Sequence, residues 1–512
     1  MKRIALIILD GWGVAPSWGG NAIAVAKTVN YYRILRQFPN TTIKASGRDV
    51  GLPGEEVGNS EVGHMNIGAG KIIEQDVYTI NKSISSGKFF TNQNLIEPIK
   101  LSKEKNTNLH LMGILSDAGI HAHIVHLLAL IKLSAQIGHQ NVYLHLFTDG
   151  RDTGQYKSLE FVDKVEQVCS KLKCGKIATL MGRIFLDRKG DWSKTKVAYN
   201  ALVDGNGGLL EKSALAAISK AYREGESDEY ISPRIIENTK RIASGDTVIF
   251  FNFRSDRTRQ ITSALLSNNF DKFERKIVLA NINFISFIPY GIEKELNIKA
   301  KSAFEKTKIL NTLGEFYQSQ NLKQFHIAET EKFAHVTFFI NGNKNEPFKG
   351  EDRTLVPSPQ VRSYAEKPEM SAEQVKDGLI AQIKNPAYSL IICNFANGDM
   401  VGHTGDFKAA IQAVLTIDNI LKEVVNAAID ENLVLVITAD HGNIEQMVNP
   451  TNGGLDTEHT KNPVPFIVVS NETVTLKDEH RLSNVGASCL ELAGFKKQAY
   501  FDESIVEGIK DF

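Results

Sequence analysis

Four short stretches carry side chains that could hold metal. "LDG" supplies Asp10, "DMVGH" supplies Asp399 and His403, "ADHG" supplies Asp440 and His441, and "EHT" supplies His459. Carboxylate oxygen mixed with imidazole nitrogen suits a borderline divalent ion such as Zn²⁺ or Mn²⁺ rather than Ca²⁺. Six protein ligands exceed what one open catalytic site needs, so the set points to two ions. Asp399 and His403 are four apart, which on a helical turn places both on one face. Taken singly, each residue has a plain structural explanation, since an Asp after a strand commonly caps a helix. The occurrence of "DMVGH" and "TADHG" in one chain is what carries the argument.

Ser60 lies in "VGNSEVGHMN", just after a glycine and where an apolar helix begins. Read alone, it is a helix cap. Beside a two-metal site it reads as a nucleophile, because a metal and a helix N-terminus both favour the alkoxide and the same dipole receives a phosphate. Gly58 and Gly63 would leave the backbone free to approach a ligand.

A second set is anion-seeking. "GIHAH" gives His121, "FTDGRDT" gives Arg151 and Asp152, "LMGR" gives Arg183, "LDRK" gives Arg188, and "FNFRSDR" gives Arg254 and Arg257. Most follow an apolar run, so strand-end placement would gather them in one cleft. The planar guanidinium fork matches carboxylate and phosphate. A lone arginine is an ordinary surface residue, whereas five at or near strand ends favour an anion pocket.

The elements that must position these residues are short apolar runs alternating with amphipathic segments. Strands are expected at "RIALIIL", "NLHLMGIL", "VYLHLF", "KIATLM", "TVIFFNF", "YSLIICNF", "LVLVITA" and "VPFIVVS". Helices are expected at "IVHLLALIKLSAQ" and "AAIQAVLTIDNILKEVVNAAI". This predicts an α/β fold of mostly parallel sheets with helices on both faces. The 512 residues are too many for one core, so two domains are expected. Crossing points at 70–82 and 289–306 would make residues 80–295 an inserted domain between residues 1–79 and 296–512.

The bulk composition narrows the function. Apolar content of 42%, charged content of 23% and zero formal net charge are ordinary for a soluble globular protein. They argue against nucleic acid or membrane as the main partner. The start "MKRIALIILD" imitates a signal peptide, but its short apolar run ends in Asp10-Gly11 and reads as a buried strand. No run approaches membrane-spanning length. Four cysteines without a C-x-x-C pair fit reduced thiols and a cytoplasmic location.

"LDGWG", "GNSEVGHMNIGAG", "DGRDT", "ETEKFAHVTFF", "GEDRTLVPSP", "DMVGHTG" and "TADHGN", in this order, resemble the cofactor-independent phosphoglycerate mutases of the alkaline phosphatase superfamily. The likeness runs from the first strand to about residue 470. It implies an alkaline-phosphatase-like metal domain and an inserted substrate-binding phosphotransferase domain. It also implies interconversion of 2-phosphoglycerate and 3-phosphoglycerate, in glycolysis and gluconeogenesis, without bisphosphoglycerate. Ser60 matches the family nucleophile. Asp399, His403 and His459 match one metal site, and Asp10, Ser60, Asp440 and His441 the other, with Mn²⁺ as the usual ion in bacteria. Asp152 would shuttle a proton, Lys332 would stabilise charge on the phosphoryl group, and His121, Arg151, Arg183, Arg188, Arg254 and Arg257 would bind substrate. The second domain would close over the site and exclude water. A monomer is expected. Two departures stand out. "RIFLDR" is one residue shorter than the family spacing, which puts the role of Arg188 in doubt, and Ala118-Gly119 replaces a Gly-Gly beside His121. Rival readings are a phosphatase, phosphopentomutase or sulfatase on the same superfamily site, or a metal-binding protein without catalysis.

Overall fold

Every residue of the strand Ile4–Leu9 is buried, because parallel neighbours flank it on both edges and helices cover it. The computed structural model describes residues 1–510 other than 55, 293–295, 297–300 and 307. Within them the chain forms two compact units, Met1–Gln75 with Lys308–Phe512, and Asp76–Thr307. The stretch 70–82 contains the start of a helix, Asp76–Ser85. Much of the stretch 289–306 lies outside the described residues.

The first unit is built on an eight-stranded sheet. Its order is Glu351–Val356, Lys323–Glu329, Tyr388–Phe395, Ile4–Leu9, Val434–Thr438, Val464–Val469, Asn40–Lys44 and His480–Arg481. The first five run parallel, with Leu9 opposite Phe395 and Ile8 opposite Thr438. Val464–Val469 is antiparallel to both its neighbours. The register brings the carboxyl ends of three central strands level, so the residues that follow them meet at one edge.

The second unit has its own eight-stranded sheet, with a central parallel group of Asn283–Ser286, Thr247–Phe250, Leu109–Leu115, Val142–Thr148 and Lys176–Gly182. Each sheet has its own apolar core. The expected strands and helices are present, the longest helix being Phe407–Asp430. One central strand, Lys323–Glu329, is not apparent from periodicity. Its buried Gln324 and His326 break the apolar run, and each is satisfied by a backbone carbonyl, of Gly314 and of Val336. Among the described residues no helix is long and apolar enough to cross a membrane.

Candidate metal centre and arginine cluster

Asp10 follows the strand Ile4–Leu9 directly, Asp440 lies just past Val434–Thr438, and Asp399 sits on the short helix Asn397–Gly402 after Tyr388–Phe395. Strand ends therefore deliver all three buried carboxylates to one place. His403 ends the short helix, and its Nε2 is 3.1 Å from Asp399 Oδ1, as is His459 Nε2. The two Nε2 atoms are 3.0 Å apart. Each ring has its Nδ1 within hydrogen-bond distance of a backbone carbonyl, Thr457 O at 2.7 Å for His403 and Gly58 O at 2.8 Å for His459. Nδ1–H donation to these carbonyls leaves both Nε2 atoms as lone pairs aimed at one carboxylate oxygen. Three acceptors facing one point require positive charge there. Protons can supply it, and Asp399 raises the pKa of His403 by hydrogen bonding and that of His459 against the effect of burial. A divalent ion supplies it equally well, and Asp399, His403 and His459 form a group able to hold one.

A second focus lies beside the first. His441 Nε2 is 3.0 Å from Ser60 Oγ, 3.5 Å from Asp440 Oδ2 and 3.6 Å from Asp10 Oδ1. Burial lowers the pKa of this imidazole and favours its neutral, metal-binding form. Asp440 Oδ2 is buried with no hydrogen-bond partner among the described residues. Asp10 is pushed up by burial and by Asp440, while Asp440, despite burial, is held low by His441 and His64. Lys332 reaches in from the helix Thr330–Ala334, its Nζ 2.5 Å from Asp10, 2.6 Å from Asp399 and 2.8 Å from Ser60 Oγ. Burial would lower its pKa, but Asp10 and Asp399 overcome that and hold it above its ordinary value.

Asn59, not Ser60, caps the helix Ser60–Ala69, accepting from Val62 N at 3.0 Å. Ser60 is the first helical residue, its hydroxyl turned to Asp10 at 3.1 Å. Gly58 and Gly63 serve protein packing rather than ligand approach. A Cβ on Gly63 would lie 2.7 Å from Asp440, and one on Gly58 2.1 Å from Ala45 O. The absent side chains let this helix sit against the Asp440 loop.

The anion-seeking residues gather in the second unit. Asp149, on the turn after Val142–Thr148, pairs with Arg183 and accepts from Asp152 N at 3.1 Å. Asp152 Oδ2 is 2.5 Å from Arg183 and 3.8 Å from His121 Nε2. Asp256 gathers His121 at 3.2 Å, Arg188 at 2.6 Å and Arg254 at 3.7 Å. Burial opposes ionisation of Asp256, yet His121 and Arg188 hold it well below the usual carboxylate range. The shortened turn, a helical twist over Arg183–Phe185, still delivers Arg188 to this group. Arg257 differs from its neighbour Arg254. It is buried and donates to Leu186 O at 3.1 Å, with burial and the nearby Arg183 lowering its pKa to about 10. Arg151 is the outlying member, exposed and 3.6 Å from Glu229.

Comparison with known proteins places this geometry. A family model described as the metalloenzyme superfamily matches residues 2–497. The 2,3-bisphosphoglycerate-independent phosphoglycerate mutase of Clostridium perfringens (strain SM101 / Type A) is 44% identical over 502 residues, 97% of each chain. That of Clostridioides difficile (strain 630) is 45% identical over 503 residues, also 97% of each chain. The chain belongs to the 2,3-bisphosphoglycerate-independent phosphoglycerate mutase family. A solved structure of Leishmania mexicana phosphoglycerate mutase, at low cobalt concentration, is similar over 99% of this chain and 98% of that one, with TM-score 0.76 and 30% identity.

Several residues in and around these two clusters are not apparent from sequence patterns. Asp149 and Asp256 organise the arginines but read as turn acids in "TDGRD" and "RSDR". His64 lies in the "NSEVGH" stretch, yet its role depends on tertiary contacts. Its Nδ1 is 2.8 Å from Ser60 O and its Nε2 3.1 Å from Asn394 Nδ2, which also donates to Asp10 at 2.7 Å. With both nitrogens engaged, His64 supports the ligands. Glu329 is a fully buried carboxyl three residues before Lys332, pushed up to about 7 by burial.

Proposed function

We propose that this protein interconverts 2-phosphoglycerate and 3-phosphoglycerate without bisphosphoglycerate, through a phosphoserine on Ser60. The observation that carries the reading is the setting of Ser60 Oγ, at the first turn of a helix and within 3.1 Å of Asp10, His441 and Lys332 together. Asp399, His403 and His459 would hold one divalent ion, and Asp10, Ser60, Asp440 and His441 the other. We assign Mn²⁺ from the mixed nitrogen and oxygen donors and from the family. When bound, the ions supply Lewis-acid polarisation of the phosphoryl oxygens and favour the Ser60 alkoxide.

Ser60 attacks phosphorus as the bond to the glycerate oxygen breaks, and that oxygen takes a proton from Asp152. Transfer back to the other glycerate hydroxyl, with Asp152 accepting its proton, gives the isomer with no net water. Lys332 offsets charge on the phosphoryl group. His121 and the arginines of the inserted unit, which we delimit near residues 80–295, grip carboxylate and phosphate and keep glycerate from escaping. A phosphatase shares the first half of this sequence. The arginine cluster and the relatives support the mutase outcome. We also place the enzyme in the cytoplasm, a location that four free, buried thiols support, and expect a monomer. The test is turnover of 3-phosphoglycerate coupled to enolase, without added bisphosphoglycerate. Activity should be present and should fall by several orders of magnitude in Ser60→Ala. Near-normal turnover in that variant would remove Ser60 from the reaction.

A further inference from the structure

Glu445 sits two residues past the "ADHGN" motif, is fully buried, and among the described residues hydrogen-bonds Gly13, Asn443, Thr460 and Asn462 rather than a proposed ligand side chain. Its contacts join the loop after Asp10 to two stretches of the long connection 439–463 between the strands Val434–Thr438 and Val464–Val469. Oε2 accepts from Gly13 N at 3.0 Å, in the loop that begins at Asp10, and from Asn443 N at 2.8 Å, in the loop that begins at Asp440. Oε1 accepts from the Thr460 hydroxyl, next to His459, and from Asn462 Nδ2 at 2.9 Å. Two glycines make room for it. A Cβ on Gly13 would lie 2.3 Å from Glu445 Cδ, and one on Gly442 2.3 Å from Oε1. Neither contact could be relieved without moving the carboxylate or a ligand loop.

We propose that Glu445 is a positioning residue for the metal centre, setting the separation of the loops that carry Asp10, Asp440, His441 and His459. This rests on the reading of those residues as metal ligands. Buried carboxylates fix backbone well because they take several donors at once in a fixed plane. Here the four donors come from three chain segments, so one side chain sets the mutual placement of ligands on both metal groups. The two oxygens are not equivalent. Gly13 and Asn443 offer backbone N–H groups that can only donate, whereas the Thr460 hydroxyl can rotate to accept. A glutamine at 445 would therefore turn its amide nitrogen toward Thr460, and the tie to the His459 loop would weaken first.

The experiment is Mn²⁺ titration by calorimetry of the full-length metal-stripped protein, beside its thermal melting. The wild type is compared with Glu445→Gln and with Asp418→Asn. Asp418 is a matched control, a buried carboxylate that holds the first turn of the helix Val29–Gln37 through Asn30 N and Tyr31 N. Removing a group that orients ligands typically costs about 10–100-fold in metal affinity. Glu445→Gln should show a loss of that size in at least one of two sites, and Asp418→Asn should melt lower with Mn²⁺ affinity unchanged. If Glu445→Gln does not fold, Asn462→Ala, which removes one arm, should weaken binding measurably, by up to about 10-fold. Wild-type affinity in a folded Glu445→Gln, or in Asn462→Ala where that is the variant read, overturns the proposal. A wild type that binds no Mn²⁺ overturns both this proposal and the metal reading beneath it.

Discussion

Arg254 and Arg257 lie in one turn, "FRSDR", and should separate when each is changed to alanine. Arg254 is 43% exposed, with Asp256 at 3.7 Å, and substitutions at exposed positions change stability little. Its removal should cost little stability. If it binds the substrate anion, losing a charge-assisted hydrogen bond costs about 1.5–3 kcal/mol, and exposure favours the lower end. About 1.5 kcal/mol is a tenfold fall in kcat/KM. Arg257 is 4% exposed, and its Nη1 donates to Leu186 O at 3.1 Å. Alanine there strips a donor from a buried carbonyl in the turn that carries Arg183 and Arg188. That costs about 1–3 kcal/mol, or roughly 2–12 °C in the melting of a unit this size. Both variants should also let glycerate leave while Ser60 is phosphorylated, giving water time to enter. The assay measures isomer and released phosphate from 3-phosphoglycerate, with a melting curve for each variant. Arg254→Ala should melt like the wild type and raise the ratio of phosphate to isomer. A fall in turnover with no change in that ratio would show that Arg254 does not retain glycerate. Equal melting of both variants would refute the division of labour between them.

Chelation should abolish activity and Mn²⁺ restore it, with more Mn²⁺ needed at pH 6 than at pH 8, because His403, His441 and His459 must be neutral to coordinate. Full activity in a preparation shown by elemental analysis to be metal-free would reject the two-ion centre. Glu329 has its folded-state pKa raised by burial from 4.5 to about 7. The folded state then binds the proton more tightly than the unfolded, so stability is greatest below pH 4.5 on this account and falls as pH rises to about 7. The loss is on the order of 3 kcal/mol, and Glu329→Gln should flatten the fall in melting temperature between pH 5 and 8. An unchanged slope in that variant would mean Glu329 does not titrate as described. The segment 76–307, expressed alone, should melt cooperatively, and an unfolded product under native conditions would count against an autonomous insertion.

The metal ligands are legible in the sequence because strand ends in parallel sheets are where ligands bind, and the acids follow continuous apolar runs. Ser60 is legible because an apolar helix begins there beside the expected metal ligands, although its neighbour Asn59 turns out to be the cap. The strand Lys323–Glu329 is not, since the buried Gln324 and His326 break its apolar run, and the carbonyls that satisfy them, of Gly314 and Val336, lie on flanking segments outside the strand. Nor are the acids that aim the arginines. A turn aspartate reads alike whether it faces solvent or, as Asp256 does, collects His121, Arg188 and Arg254. Sequence periodicity and residue type thus determined the α/β class, the candidate metal-ligating groups and the set of arginines that the fold gathers. Only the folded chain decided what each of these groups touches. His64 lies in the best-recognised motif and has both ring nitrogens engaged, Arg257 donates to the carbonyl of Leu186, and Glu445 ties the loop after Asp10 to the connection 439–463. Each of these residues makes at least one hydrogen bond to a partner 71 or more positions away, and spacing along a chain holds no record of such a pairing.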